Sequence, residues 1–252
     1  IPARYASTRF PGKPLADLLG KPLIAHVIER ALEAKSVQGV LVATDDERIA
    51  SAVEAHGKAK AVMTSPDCAS GSDRIAEVVA KFPDADIIVN VQGDEPLMPA
   101  EVIDQAVAAL VSDPNCAVST AKIRITNEAD FLSPNVVKVV CDLEGRALYF
   151  SRSPIPSLSR APELRFQEED KTYTAYPPTY KHFGLYVYRR DALLQFVKMP
   201  PTPLELLEKL EQLRFLENGY SIRVVETTLD SIGVDTLEDL ERARQIMINY
   251  KR

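Results

Sequence analysis

Cysteine and histidine are scarce in this chain, with three of each among 252 residues. Cys68, Cys116 and Cys141 are odd in number and far apart. They make neither a disulfide framework nor a zinc-ligand pattern, and read as buried or incidental thiols in a reducing compartment. No apolar run is long enough to span a bilayer, and no secretory signal is visible; the expected setting is the cytoplasm. Positive charge is not in excess either. The 30 Lys and Arg against 36 Asp and Glu leave a net charge of −6, which argues against nucleic acid or an anionic membrane as partner. There is no glycine-rich dinucleotide fingerprint, no Ser-His-Asp or Cys-His arrangement, and no internal repeat or low-complexity tract. A starting methionine is missing too: Ile1 falls on the last residues of an expected strand, so a few residues are expected ahead of it.

What is present is an ordinary soluble composition, 46% hydrophobic and 26% charged, in a chain long enough for one large core. Apolar spacing predicts a helix after Pro22, with Leu23, Val27, Ala31 and Ile24, Ile28, Leu32 as i, i+4 rows. Val40–Ala43 reads as a strand, Glu47–His56 as a helix stopped by Gly57, Ala61–Met63 as a strand, and Ile75, Val78, Val79 and Phe82 as a helix face. Ile87–Val91 is β-branched and short, as a buried parallel strand should be. Val102 to Leu110 makes the next helix. This alternation predicts an α/β fold with a mostly parallel sheet flanked by helices, and a ligand site at the carboxyl ends of the strands.

From Cys116 the pattern changes. Cys116–Ile125, Val136–Cys141, Ala147–Phe150 and His182–Tyr188 read as strands without intervening helices, and residues 153–180 as a long Pro-rich, charged loop. The expectation is one domain over residues 1–252, with approximately 116–188 forming a smaller inserted antiparallel lobe that covers the site or mediates dimerisation. Pro203–Leu216 reads as a helix, Ile222–Val225 as a strand, and Thr236 with Asp239 as the capping box of a last helix.

The opening loop carries Arg4, Arg9 and Lys13 after a strand, which invites a polyanion such as a nucleoside triphosphate. A solvated basic loop is the blander alternative. It is not the usual phosphate loop, because Gly12-Lys13 is followed by Pro14 rather than Ser or Thr. Asp94 follows the strand Ile87–Val91, where a magnesium ligand is expected, and Asp235 sits in a comparable place before the last helix. Taken singly, each could serve only a turn or a helix start. Together with the loop they outline a magnesium–nucleotide site. His26 and His56 lie in helical patterns; His182 opens a strand beside the long loop.

Seven blocks then carry a resemblance: Ile1–Leu15, Val42–Asp46, Asn90–Pro96, Ala147–Ser153, Lys181–Tyr186, Leu210–Arg214 and Gly233–Thr236. In this order, and along nearly the whole length, the chain closely resembles the 3-deoxy-manno-octulosonate (Kdo) cytidylyltransferase family, also called CMP-Kdo synthetases. The resemblance implies transfer of CMP from CTP to Kdo with release of diphosphate, for lipopolysaccharide synthesis. It also implies a nucleotide-diphospho-sugar transferase fold, magnesium dependence and a homodimer. Residue by residue, it implies Ala3, Arg4, Arg9 and Lys13 on the nucleotide, Asp94 and Asp235 on magnesium, and Ser70, Gly71 and Arg74 near the cytidine. Gln92, Arg152, His182, Tyr186, Glu211 and Gln212 fall around the sugar acid, and Arg4, Lys13, Asp94 and Asp235 carry the catalysis. Many members have Thr where this chain has Ser72; serine keeps the hydroxyl. The alternatives are the same chemistry on 8-amino-Kdo or another sugar acid, or a non-catalytic nucleotide-sensing subunit.

Overall fold

The computed structural model describes residues 1–6, 10–159 and 179–250. Its longest strand, β10 (Tyr180–Arg189), decides the architecture. Alternate residues of a strand point to opposite faces, and here each face meets a separate core. Phe183, Leu185 and Val187 join the larger cluster, while Tyr188, with Tyr186 against it, joins one built on Phe150, Phe196 and Phe215.

The earlier strands are β1 (Pro2–Ala3), a short hairpin of β2 (Asp17–Leu18) and β3 (Lys21–Pro22), β4 (Leu41–Thr44), β5 (Lys60–Met63) and β6 (Ile87–Asn90). Then come β7 (Val118–Arg124), β8 (Lys138–Cys141), β9 (Ala147–Ser151) and, after β10, β11 (Ile222–Thr227). A parallel sheet runs β1-β4-β5. A six-stranded mixed sheet runs β11-β7-β10-β8-β9, with β6 also on β10. Because β10 is antiparallel to β6, β7 and β8, and β11 is parallel to β7, the strands β6, β7, β8 and β11 all point one way. The carboxyl ends of β6 and β11 therefore open on the same edge.

The helices follow the apolar spacing. They are α1 (Leu23–Glu33), α2 (Glu47–His56), α3 (Gly71–Val79), α4 (Ala100–Ser112), α5 (Glu128–Leu132) and α6 (Arg190–Phe196). After these come α7 (Pro203–Glu208), α8 (Gln212–Glu217) and α9 (Leu237–Tyr250). Helix α1 buries Leu23, Ile24, Val27, Ile28 and Ala31. Asp46 caps α2 by accepting from the Arg48 amide at 2.9 Å, and Gly57 ends it at φ 76°. The expected capping box of α9 forms, with Asp239 N donating to Thr236 Oγ1 at 3.2 Å and Thr236 N to Asp239 Oδ2 at 2.9 Å.

Three expectations change. The stretch 116–188 shares its main strands with the rest of the chain: β7 and β10 lie in the same sheet as β6 and β11, and the β8–β9 hairpin extends its edge. The helix expected over Pro203–Leu216 is two helices, since Lys209 takes a left-handed φ of 55° between α7 and α8. Arg214 folds back to pair with Glu205 and lies over the Phe196 ring at 4.4 Å, which clamps the two segments at an angle. Helices α5 and α6 were not anticipated; Asn127 caps the first by accepting from Asp130 N at 2.8 Å. Of the long loop at 153–180, residues 160–178 lie outside the described residues.

One close approach locks the site-bearing edge. A Cβ on Gly93, just after β6, would lie 2.6 Å from the Pro2 carbonyl oxygen. Only glycine lets the β6 loop pass against β1. Gly93→Ala should lower stability by about 1–3 kcal/mol through overpacking, read as a lower urea midpoint at unchanged m-value.

Candidate active site

The opening loop closes on itself at its base. Gly12 N donates to the Tyr5 carbonyl at 2.9 Å, and a Cβ on Gly12, at φ +72°, would meet the Tyr5 ring at 3.0 Å. Lys13–Leu15 then forms a single 3₁₀ turn in which Pro14 is tolerated because a first-turn amide needs no partner. This turn sends the Lys13 side chain inward, where Nζ donates to Asp94 Oδ2 at 2.6 Å and to Asp235 Oδ1 at 3.2 Å. The lysine side chain is 13% exposed against 34% and 46% for the two aspartates. Three residues from three distant segments thus share one charge cluster at the expected strand ends. Arg4 lies exposed just past β1, Ala3 is buried, and Arg9 lies outside the described residues.

Glu95 holds the two aspartate loops together. Ser231 Oγ donates to its Oε2 at 2.6 Å, Val234 N donates to the Asp94 carbonyl at 2.8 Å, and Gly233 lies where a Cβ would be 3.3 Å from Glu95 Oε1. Burial pushes the Glu95 carboxyl up to about 7 despite the Ser231 hydrogen bond, with Asp94, Asp230 and Asp235 adding to the rise. A Cβ on Gly184 of β10 would lie 3.6 Å from the same Glu95 oxygen and 3.5 Å from Gln92 Cγ. Through Glu95 and Gln92, the aspartate pair is tied to a second group of residues.

That group surrounds a cleft of about 170 Å³ between β6, β10 and the α7–α8 break. Gly71, Gln92, Tyr186, Glu211 and Gln212 line it, as do polar residues not foreseen, Ser72, Asn90, Tyr188 and Lys209, over an apolar floor of Phe196, Leu210 and Phe215. Ser72 Oγ donates to Glu211 Oε2 at 2.7 Å, and Gln92 Nε2 to Asn90 Oδ1 at 3.2 Å. His182 stands beside Tyr186, ring centroids 5.3 Å apart, in a row of rings in which Phe150 meets His182 edge-on and Tyr186, Tyr188 and Phe215 stack. The register of β10 against β7 shifts between His182 and Tyr186, as bulges do beside sites. Thr120 Oγ1 donates to the Leu185 carbonyl at 2.6 Å, so the His182 Nε2 at 2.8 Å donates to Thr120, leaving Nδ1 as the acceptor.

Other expected site residues stand apart. Arg74 is buried and donates to Asp45 at 2.9 Å and to Thr64, tying α3 to the ends of β4 and β5. Ser70 caps α3, accepting from Asp73 N at 3.2 Å. Arg152 spends its guanidinium on backbone carbonyls, those of Glu208 at 2.8 Å and Pro134 at 3.0 Å. A larger cavity of about 870 Å³ lies at the opposite, amino-terminal ends of the strands, lined by apolar groups such as Ile1, Leu41 and Ile87 and by polar ones such as Gln38, Lys60 and Asp86. None of the expected site residues borders it.

Among the described residues no cluster of three or more metal-ligating His, Cys, Asp or Glu side chains is present. Two carboxylates are enough for magnesium, which takes few protein ligands and fills its shell with phosphate oxygens and water. Asp94 and Asp235 already converge on one cation, the Lys13 ammonium, so their oxygens fit such an ion.

Cationic and carboxylate groups gathered at the carboxyl ends of an α/β sheet, beside a polar cleft, suit a phosphate-bearing ligand, and the likeness to known proteins makes the class that of the nucleotidyltransferases. The chain belongs to the cytidylyltransferase family, whose sequence pattern matches residues 1–226. It is 59% identical over 251 residues to a 3-deoxy-manno-octulosonate cytidylyltransferase of Geobacter metallireducens, covering 100% of this chain and 97% of the relative. It is 50% identical to the enzyme of that name from Solibacter usitatus, over 98% and 92% of the two chains. A solved structure of CMP:2-keto-3-deoxy-manno-octonic acid synthetase complexed with CTP superposes with a TM-score of 0.88 at 43% identity, over 99% and 97% of the chains.

Burial drives the His182 pKa down from 6.5 to about 3. The folded-state value lies below the unfolded one, so the contribution of the neutral ring is whole above pH 6.5 and is lost as pH falls from 6.5 toward 3. Denaturant titrations from about pH 7 to pH 4 should show a steeper loss of stability for the wild type than for His182→Gln. Equal slopes would show that the folded ring protonates freely.

Proposed function

We propose that the protein is a CTP:3-deoxy-manno-octulosonate cytidylyltransferase, joining CMP to the sugar acid and releasing diphosphate. The observation that carries this reading is the full-length likeness to enzymes of that name. The paired half-sites suit the reaction, one rich in charge for phosphates and one lined with hydroxyls, amides and a carboxylate for a polyhydroxy acid.

In this account the opening loop takes the nucleotide, with Lys13 and Arg4 facing the phosphates and the backbone near Ala3 under the nucleoside. The sugar acid enters the cleft between Gln92, Tyr186, Glu211 and Gln212. Lys209 lines that cleft while Arg152 is engaged on carbonyls, so Lys209 is the nearer cation for the sugar carboxylate. The anomeric hydroxyl oxygen attacks the α-phosphorus in line. The bond from the α-phosphorus to the bridging oxygen breaks, its electron pair leaves with diphosphate, and the hydroxyl proton passes to solvent. No covalent intermediate is needed. Catalysis comes from positioning and from charge placed to meet the transferring phosphoryl group.

Magnesium belongs to this proposal. Held by Asp94 and Asp235, it would act as a Lewis acid on phosphate oxygens. The homodimer and the cytoplasmic setting are carried with it; no helix among the described residues is long and apolar enough to cross a membrane.

Purified protein should release diphosphate from CTP only when Kdo and magnesium are both supplied. Asp94→Asn should lose at least about 100-fold in turnover while keeping its fold. Release without the sugar acid, or an unchanged rate in the variant, would contradict the assignment.

A further inference from the structure

Lys13 makes a contact that triphosphate binding alone does not call for. Its ammonium sits between two carboxylates, 2.6 Å from Asp94 and 3.2 Å from Asp235, the same two groups that would hold a divalent cation. Two carboxylates facing each other repel. Without a cation the two carboxylate groups would push against one another across loops that backbone and Glu95 contacts hold together. The lysine supplies that cation from within the chain.

A metal ion and this ammonium cannot share the place. Magnesium binds carboxylate oxygens at about 2.0–2.1 Å, and an ammonium already in contact with both oxygens would face it as a like charge in a half-buried setting. For the metal to enter, Lys13 must leave. Its flexible four-carbon stem allows a swing, and a triphosphate offers the anion that the ammonium needs once it leaves the aspartates.

We propose that Lys13 is the built-in counter-ion of the metal site, keeping Asp94 and Asp235 converged until nucleotide phosphates draw it away. It is then a positioning residue before it is a phosphate ligand. This rests on the reading of Asp94 and Asp235 as metal ligands, but not on the identity of the sugar. Nucleotide and metal therefore bind cooperatively: the nucleotide vacates the metal position, and the metal in turn frees Lys13 for the phosphates. Couplings of this kind lie at about 5- to 150-fold.

The test is manganese binding by calorimetry to the full chain, wild type and Lys13→Met, with and without a non-hydrolysable CTP analogue. The wild type should bind manganese weakly alone and at least about tenfold more tightly with the analogue. Lys13→Met should bind manganese more tightly than the wild type when no nucleotide is present, and gain much less from the analogue. A second readout needs no variant: saturating manganese alone should expose the wild-type Lys13 amine to acylation, measured by peptide mass spectrometry, several-fold over the ligand-free protein. A variant that binds manganese no better than the wild type without nucleotide overturns the proposal, and so does acylation of Lys13 that manganese leaves unchanged. Neither readout uses Kdo or turnover. An active enzyme with unchanged manganese binding in the variant would defeat this inference alone, and an enzyme inactive on Kdo with the expected binding pattern would defeat only the substrate assignment.

Discussion

The meeting of Asp94, Asp235 and Lys13 is the interaction on which the site depends. Two like charges face one another here with a third, opposite charge between them that offsets their repulsion. Everything around the cluster serves to bring three remote segments to that point. The loop base closes from Gly12 to Tyr5, Gly93 allows β6 to pass against β1, and Glu95 pegs the Asp235 loop through Ser231.

Strand direction makes this possible. With β10 alone reversed among its neighbours, the loops after β6 and β11 emerge on one edge, and the amino-terminal half of β10 lies beyond the end of β6. The same reversal brings His182 and Tyr186 to that edge, so the phosphate half and the sugar half are continuous. A Cβ on Gly184 would lie 3.5 Å from Gln92 Cγ and 3.6 Å from Glu95 Oε1, so both side chains border β10 where the halves meet.

Much of this was readable before any coordinates. Period and punctuation located α1, α2, α4 and α9 closely, because their burial is one-sided and their ends carry local signals such as Asp46, Gly57 and Thr236. Lys13, Asp94 and Asp235 were each weak alone and strong together, and the fold does bring them together. Other features lie beyond a linear reading. The break at Lys209 sits in the middle of an unbroken leucine pattern and comes from a tertiary clamp, Arg214 on Glu205 and Phe196. Lys209 accordingly joined the cleft unannounced, whereas Ser72 and Glu95 stood inside motifs already noted without a sign of which way they faced. Arg74, expected near the cytidine, and Arg152, expected around the sugar acid, are engaged by side-chain and backbone oxygens. A lone arginine gives no hint of whether a carbonyl or a substrate will take it.

The most direct measurement is a crystal structure of the protein with manganese and a non-hydrolysable CTP analogue, read by anomalous scattering. The account predicts a manganese peak between the Asp94 and Asp235 carboxylates, with the Lys13 ammonium turned from them to the phosphates. Manganese elsewhere, or Lys13 still bridging the two aspartates with nucleotide bound, would contradict it.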